Sequence, residues 1–218
     1  NTGINIKLNG IVMTMVNGMG PKIPEKKVDE LLERMDVVRA GDTLVLTGSI
    51  PNSLPEDIYT QIMGKLAGRG IQFVVDAPGQ LLMESLKAHP FLIKPNNHEV
   101  GRIYGVNIES PEECMPYAHK LHEEGARNVI ISCGGHGSLL LDENGVEHIV
   151  PTAKVKLVNA TGAGDAFMAA LAWAYLEGTA LAETARAAAA AAAIAIEGEE
   201  TINPAMSAGT VRSRMAAE

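Results

Sequence analysis

The run Thr161-Gly162-Ala163-Gly164-Asp165 places three small residues directly before a carboxylate. It stands between a predicted extended segment at 155–158 and a predicted apolar helix. Small residues let a phosphate approach the backbone, where the free N–H groups and the dipole of a helix N-terminus attract it. A carboxylate at the same end, kept ionised by the helix terminus, is placed to accept a proton from an attacking hydroxyl. The run predicts an anion hole and a general base for phosphoryl transfer, although a tight turn with Asp165 as a cap explains the spacing equally well.

A second glycine-rich run, Ser132-Cys133-Gly134-Gly135-His136-Gly137, stands between two predicted strands. Such a permissive backbone can wrap a nucleotide phosphate or ribose. Taken alone, the run is more typical of a turn between strands. It is not a Walker A motif, because no Gly-Lys-Ser/Thr follows.

The run Lys94-Pro95-Asn96-Asn97-His98-Glu99 ends another predicted strand. Asn96 and Glu99 are suited to orienting a hydrated Mg²⁺, which usually takes one or two carboxylates together with phosphates and waters. The same spacing is that of a helix capping box, with Asn96 as the N-cap and Glu99 three residues later. Both interpretations are compatible with each other.

Two further patterns favour structural roles. His119 and His122 stand three residues apart on one predicted helix, but with no third ligand in view an exposed helix face is the preferred interpretation. The alanine run at 187–193 is typical of helix propensity and close packing, with a wall of a flat adenine pocket as the alternative.

The elements that position these runs alternate between strand and helix. Strands are predicted at 4–8, 11–16, 43–47, 72–76, 91–94, 128–132, 138–141 and 148–158. Helices are predicted at 25–35, 56–68, 79–88, 97–104, 110–125, 163–176, 181–196 and 208–217. Asn9-Gly10 predicts a tight hairpin between the first two strands, and Ser110 and Pro111 predict a helix start. The later alternation predicts an α/β fold with a mostly parallel sheet covered on both faces and ligands beyond the carboxyl ends of its strands.

Composition excludes several classes of protein. The chain has 218 residues, a net charge of −8 and 46% hydrophobic residues, which fits one domain with a substantial core. The acidic balance argues against nucleic-acid and membrane-surface binding, and no apolar run approaches membrane-spanning length. Cys114 and Cys133 are far apart in sequence, which argues against a disulfide framework and favours a reduced cytoplasmic setting. The start Asn1-Thr2-Gly3, without a Met, suggests a processed or truncated chain.

Together these runs resemble the ribokinase-like, phosphofructokinase-B (PfkB) carbohydrate kinases. The signature of the family is matched by Val158-Asn159-Ala160-Thr161-Gly162-Ala163-Gly164-Asp165-Ala166-Phe167. Four further runs follow the family's order along the chain: Asn5-Ile6-Lys7-Leu8, Asn17-Gly18-Met19-Gly20-Pro21, Gly48-Ser49-Ile50-Pro51 and the run that begins at Lys94. These tracts are similar to the 1-phosphofructokinase branch, with the tagatose-6-phosphate kinases as near relatives.

The resemblance implies a ribokinase-like three-layer α/β/α fold and transfer of the ATP γ-phosphoryl group to a ketohexose phosphate, first of all fructose 1-phosphate. Asp165 is implied as the base, Gly162, Ala163 and Gly164 as the anion hole, and Ser132, Cys133, Gly134, Gly135, His136 and Gly137 as the nucleotide site. Asn96 and Glu99 are implied to place Mg²⁺ and phosphates, and Asp165 and Lys7 to contact the sugar phosphate.

The resemblance also divides the chain. Residues 1–20 are expected to form a partial lid hairpin that covers the sugar and forms a homodimer contact, and 21–218 the nucleotide-binding and catalytic domain. The family's N-terminal segment, with a substrate-binding Asp and a sugar loop, is not matched in this sequence. Gly3 stands where the branch usually carries a phosphate-binding arginine. A related kinase for tagatose 6-phosphate, ribose or a nucleoside, a catalytically silent nucleotide-binding module, and a purely structural domain therefore stay open.

Overall fold

The structure is a computed structural model that describes residues 5–8 and 14–17 by their backbone and residues 22–152 and 155–217 in full. The strands are β1 (Asn5–Leu8), β2 (Thr14–Asn17), β3 (Thr43–Thr47), β4 (Gln72–Asp76), β5 (Leu92–Ile93), β6 (Asn128–Ser132), β7 (Ser138–Leu141) and β8 (Glu147–Val150). The helices are α1 (Glu25–Arg34), α2 (Ile58–Lys65), α3 (Gly79–Leu86), α4 (Asn97–Tyr104), α5 (Pro111–Glu123), α6 (Ala163–Leu176), α7 (Leu181–Ile196) and α8 (Ala208–Ala216).

The described strands form a two-stranded sheet, β1-β2, and a six-stranded sheet in the order β3-β4-β5-β6-β7-β8. β3 to β6 run parallel, whereas β7 and β8 run antiparallel to their neighbours. Only short connections join β6 to β7 and β7 to β8, and parallel strands need a longer crossover. The sheet is therefore mixed rather than uniformly parallel.

The strand order decides which face each helix covers. β3 to β6 are neighbours in chain order, and right-handed crossovers between such strands place all their helices on one face. Residues of α1 to α5 accordingly form one core with that face of the sheet. Helices α6 and α7 follow the sheet in sequence and cover the opposite face.

Each central strand divides its side chains between these two cores. In β6, Val129 and Ile131 belong to the core with α2, α3 and α5, while Ile130 belongs to the core with α6 and α7. In β7, Leu139 and Leu140 divide in the same way. Successive residues of a strand point to opposite faces, so an uninterrupted apolar run is what burial on both faces requires.

Most predicted elements are confirmed, several with the same bounds: the strands at 43–47, 72–76, 128–132 and 138–141, and the helices at 97–104, 163–176 and 181–196. The predicted start of α5 is also confirmed. Ser110 is its N-cap, with its hydroxyl accepting from the N–H of Glu113, and Pro111 is its first residue.

The extended region predicted at 148–158 is wrong in detail. β8 ends at Val150, because Pro151 has no N–H with which to continue the ladder. The N–H groups of Val158 and Asn159 instead donate to the carbonyl of Ile196 at 2.8 and 3.1 Å, which attaches this segment to the end of α7.

The hairpin predicted between the first two strands is confirmed, because β1 and β2 pair antiparallel. Their register differs from the prediction, since Leu8 lies opposite Thr14 and five residues connect the strands rather than the two of Asn9-Gly10. Residues 9–13 themselves lie outside the described part of the chain.

Among the helices that the structure describes, none is long and apolar enough to cross a membrane.

Candidate active site

A row of polar residues follows the apolar strands at one edge of the sheet. β3 to β6 are parallel, so their carboxyl ends meet at this edge, where ligands bind in open α/β sheets. Asp76 and Ser132 are the last residues of β4 and β6, Lys94 follows β5, and Ser138 begins β7 opposite Ser132. Each stands two positions from a strand residue that packs under α6 and α7, namely Val74, Leu92, Ile130 and Leu140. The strand alternation therefore places all four polar side chains on the face covered by α6 and α7.

Asp76 and Lys94 form a largely buried ion pair in this row. Lys94 Nζ lies 3.1 Å from Asp76 Oδ2, and the two side chains are 6% and 18% exposed. Nζ is also 6.0 Å from the ring centroid of Phe167 on α6. Burial raises the pKa of Asp76, Lys94 opposes that shift, and the nearby carboxylates Glu99 and Asp165 add to it. Three carboxylates and one ammonium group thus share this end of the sheet.

The N-terminus of α6 approaches this row from above. Gly162 is its N-cap with φ +86°, and a Cβ atom there would lie 2.5 Å from the carbonyl oxygen of Thr201. The position therefore requires glycine. Among the described residues, no side chain caps this helix. The first-turn N–H groups, at Ala163 and Gly164, lack the acceptors that the body of a helix provides, and Ala163 donates only a long bond of 3.4 Å to the carbonyl of Ala160.

Asp165 is the third residue of α6 and is exposed. Its side chain makes no hydrogen bond or ion pair with any residue that the structure describes, although its charge acts on Asp76. A carboxylate held at a helix terminus without a protein partner is free to accept a proton from a ligand.

A cavity of about 130 Å³ lies between the helix terminus and the polar row. Donors come from the strand ends and from the start of α6, and apolar side chains come from α6 and α7. It is lined by Lys94, Ser132, Gly134, Gly137, Ser138, Thr152, Ala163, Gly164, Phe167, Ala189 and Ala192. The cavity thus brings together the two glycine-rich runs, the strand end at Lys94 and the alanine-rich helix α7, which are far apart in sequence.

The second glycine-rich run contributes mainly backbone to this cavity. Ser132, Gly134 and Gly137 line it, and a Cβ atom at Gly137 would lie 2.5 Å from the carbonyl of Val150. Gly135 belongs to a 3-10 turn at 134–136 and does not line the cavity.

The side chains of His136 and Cys133 point elsewhere. His136 Nδ1 lies 2.6 Å from the carbonyl oxygen of Glu109, and Cys133 Sγ lies 3.4 Å from Cys114 Sγ. The two cysteines, far apart in sequence, are therefore in contact as free, buried thiols. The hydrogen bond with Cys133, together with burial, raises the pKa of Cys114, and the contact between the two sulfur atoms joins the loop to α5.

Asn96 and Glu99 form the predicted capping box of α4. The N–H of Glu99 donates to Asn96 Oδ1, and the N–H of Asn96 donates to Glu99 Oε2, both at 2.9 Å. Glu99 Oε1 and the second lone pair of Asn96 Oδ1 are left over, and oxygen donors of this kind fit Mg²⁺. No cluster of three or more metal-ligating His, Cys, Asp or Glu side chains occurs in the described residues. The residues present thus fit a cation held mostly by phosphates and waters.

Other sequence predictions lie away from the cavity or outside the described residues. His119 Nε2 lies 2.7 Å from Glu147 Oε1, and His122 Nδ1 is buried without a partner among the described atoms. Lys7 lies opposite Met15 in the β1-β2 register, but its side chain is outside the described part, as is Gly3.

Sequence reasoning did not assign Asp76, Lys94 or Ser138 to the site. A signal was present for Asp76 and Lys94, because the apolar runs Phe73–Val75 and 91–93 are each followed directly by a polar residue, whereas Ser138 begins its strand and carries no such signal. A polar residue directly after a buried parallel strand marks the ligand-binding edge of an open sheet.

Comparisons with known proteins agree with this architecture. Residues 8–208 match the pfkB family of carbohydrate kinases. A 1-phosphofructokinase of Bacillus subtilis (strain 168) is 42% identical over 168 residues, which are 77% of this chain and 55% of the relative. A D-tagatose-1-phosphate kinase of Bacillus licheniformis is 32% identical over 167 residues, 76% of this chain and 55% of the relative.

Solved structures of sugar kinases share the fold of this chain. Phosphofructokinase-2 from Escherichia coli, in complex with potassium, superposes with a TM-score of 0.83 at 25% identity, covering 94% of this chain and 66% of that one. Arabidopsis thaliana ribokinase, complexed with ribose and ATP, gives a TM-score of 0.72 at 23% identity, with 94% and 65% covered. The chain spans a little over half the length of the curated relatives named above.

Proposed function

The chain belongs to the pfkB family of carbohydrate kinases, and from that membership we propose that it transfers the γ-phosphoryl group of ATP to a hydroxyl of a ketohexose phosphate. Fructose 1-phosphate, which gives fructose 1,6-bisphosphate, is the favoured acceptor, because the Bacillus subtilis relative is a 1-phosphofructokinase. The D-tagatose-1-phosphate kinase at 32% identity supports a tagatose phosphate as the second candidate. The observation that carries the proposal is the uncapped N-terminus of α6, which brings Ala163 and Gly164 to the cavity and holds Asp165 without a protein partner.

Asp165 is the proton acceptor in this proposal. As the acceptor hydroxyl oxygen bonds to the γ-phosphorus, the bond from that phosphorus to the β,γ-bridging oxygen of ATP breaks, and ADP leaves. The hydroxyl proton passes to a carboxylate oxygen of Asp165. Catalysis of this kind depends on positioning and on stabilisation of the transferring charge rather than on covalent chemistry by the protein.

The first turn of α6 stabilises that charge. The first-turn N–H groups lie at the helix start, where the helix dipole favours an anion. Gly164 contributes most, because Ala163 already donates a long bond of 3.4 Å to the carbonyl of Ala160. The Lys94 ammonium adds a positive charge beneath them, and its pairing with Asp76 holds it in place. The cavity excludes part of the solvent, which strengthens these interactions.

Asn96 and Glu99 would hold Mg²⁺, through the oxygen atoms that the capping box leaves over. When bound, the cation neutralises phosphate charge and orients the phosphoryl groups. Ser132, Gly134 and Gly137 contact the nucleotide chiefly through the loop backbone, with Ala189 and Ala192 as the flat apolar wall. The loop is held in place by the contacts of Cys133 with Cys114 and of His136 with the carbonyl of Glu109, while Gly135 forms part of its turn.

We further propose that residues 1–20 are a lid and dimer contact and that 21–218 form the nucleotide-binding and catalytic domain. The support is that β1 and β2 pair with each other as a sheet distinct from the six-stranded one within the described residues.

Calorimetric titration with Mg·ATP, followed by a coupled ADP-release assay, tests the function. The assay compares fructose 1-phosphate with tagatose 1-phosphate, tagatose 6-phosphate, fructose 6-phosphate and ribose. We expect Mg·ATP binding and ADP release that depends on fructose 1-phosphate. Binding without sugar-dependent release would identify a silent nucleotide-binding module. A folded chain that binds no nucleotide would overturn the site assignment.

A further inference from the structure

Ser138 stands out among the polar residues of the cavity. It is 2% exposed, and its Oγ has no hydrogen-bond partner among the described protein atoms. Buried hydroxyl groups are rarely left unpaired, because burial removes their bonds to water without replacement. The hydroxyls of Thr43 and Thr60 are also buried and unpaired, but of these three residues only Ser138 lines the cavity, where a bound molecule can supply the missing partner.

The strand register fixes where the Ser138 hydroxyl points. Ser138 lies directly opposite Ser132 in the β6-β7 pair, and both line the cavity. Since Leu140, two positions later, packs under α6 and α7, Ser138 faces the same helices. The two hydroxyls thus stand side by side below the N-terminus of α6.

The groups around this hydroxyl are mostly hydrogen-bond donors. Lys94 carries an ammonium group whose remaining N–H bonds are available beyond its pairing with Asp76. The start of α6 adds the N–H of Gly164, while Ala163 donates only a long bond of 3.4 Å to the carbonyl of Ala160. The remaining neighbours, such as Phe167 and Ala189, are apolar. The carboxylates Asp76, Glu99 and Asp165 stand nearby but do not line the cavity. Because the groups that do line it mostly donate, the cavity favours an acceptor-rich ligand, and among the parts of a nucleotide the phosphates carry the most acceptor oxygens.

We propose that the Ser138 hydroxyl donates a hydrogen bond to a phosphate oxygen of the bound nucleotide, so that Ser138 is a binding residue beyond the glycine-rich run at 132–137. This inference rests on the proposed function, because it requires a nucleotide in the cavity. It adds a specific contact from β7, whereas the loop itself contributes mainly backbone.

The test uses Ser138→Ala, with Ser85→Ala as the matched control. Ser85 is equally buried, but its hydroxyl donates to the carbonyl of Leu82 at 2.6 Å, on α3 and away from the cavity. Calorimetry measures the affinity for Mg·ATP, Mg·ADP and adenosine, and thermal unfolding without ligand measures stability.

We expect Ser138→Ala to weaken Mg·ATP and Mg·ADP binding about three- to ten-fold, to leave adenosine binding unchanged and not to lower the Tm, since no protein bond is lost. Ser85→Ala should lower the Tm and leave all affinities unchanged. Unchanged Mg·ATP affinity in Ser138→Ala, alongside normal binding by the unsubstituted chain, would overturn the inference while the proposed function stands. An equal loss for adenosine would place the contact on the nucleoside and overturn the phosphate assignment. If the unsubstituted chain binds no Mg·ATP, the proposed function fails, and this inference with it.

Discussion

The N-termini of α4 and α6 both lie at the carboxyl edge of the sheet, yet they are built in opposite ways. α4 begins with a complete capping box, in which Asn96 and Glu99 satisfy each other's backbone N–H groups at 2.9 Å. α6 begins with Gly162 in a left-handed conformation, and no described side chain caps it. Each helix carries an acid at its third position, but Glu99 is bound to the backbone whereas Asp165 has no partner in the described chain.

The difference separates a helix start whose N–H groups are used within the fold from one whose N–H groups are available to a ligand. The capped terminus has used its donors to stabilise the fold and keeps only the remaining oxygen atoms of Asn96 and Glu99 for a cation. An uncapped terminus beside a cavity keeps its donors for a bound phosphate and its acid for proton transfer. The same local feature thus serves two purposes, and substitutions at the two ends should have effects of different kinds.

The largest expected effect is at Asp165. Asp165→Asn should lower turnover about 10²–10⁴-fold, because the amide cannot accept the hydroxyl proton, and should leave Mg·ATP affinity nearly unchanged. Steady-state ADP release and calorimetric titration measure the two quantities. Glu113→Gln is the matched control, since Glu113 is an exposed acid at the third position of α5 and should not affect turnover. Undiminished turnover in Asp165→Asn would remove this residue from the role of base.

The second largest effect is expected from substitution of Gly162, and it should lower the stability of the fold. Gly162→Ala should cost more than about 2 kcal/mol of unfolding free energy, because it combines left-handed strain with a Cβ atom 2.5 Å from the Thr201 carbonyl. Gly178→Ala is the control with strain alone, at φ +80° and with no atom within 4 Å of the added carbon, and should cost about 1–2 kcal/mol. Urea unfolding measures both. Equal losses would mean that the segment at Thr201 moves aside readily.

Gly164 should affect ligand binding rather than folding. A side chain there meets no protein atom within 4 Å and extends into the open cavity. Gly164→Val should therefore weaken Mg·ATP binding about ten-fold or more, the equivalent of losing a hydrogen bond to a charged group. The control is Gly64→Val, the same change in the exposed interior of α2, which should leave affinity unchanged. Normal Mg·ATP affinity in Gly164→Val would argue against the anion hole.

The smallest effect is expected at the capped end. Asn96→Ala should cost about 1 kcal/mol of unfolding free energy, whereas Asn96→Ser keeps a good N-cap and should cost little. If Asn96 also helps to hold Mg²⁺, as we propose, both variants should need more Mg²⁺ for half-maximal Mg·ATP binding. A Mg²⁺ requirement unchanged in both would leave Asn96 with the capping role alone.

Much of this site could be predicted from local pattern. The polar and apolar runs placed β3, β4, β6 and β7 correctly, and small residues before an acid located the start of α6. The capping box at Asn96 could be predicted from the sequence equally well, because all of its residues lie within four positions of one another. These features depend on neighbours in sequence, so the sequence contains the whole cause.

Predictions failed where distant segments decide the outcome. The strand expected at 148–158 stops at Val150 and the rest attaches to α7, a contact about 40 residues away in sequence. The cysteines, 19 residues apart, meet only because α5 packs on β6. The β1-β2 register also differs from the two-residue turn that Asn9-Gly10 predicts, although these two strands are neighbours in sequence.

By itself, the sequence determined the class of fold, the acid at the start of α6 and the glycines that surround it, because these follow from short-range periodicity and backbone sterics. Only the tertiary structure decided which polar groups meet. The order of the strands and the hand of their crossovers bring Asp76 to Lys94, and the antiparallel return of β7 places Ser138 beside Ser132 under the same helix end. Those contacts depend on how the sheet is ordered in space, which no local pattern of residues encodes.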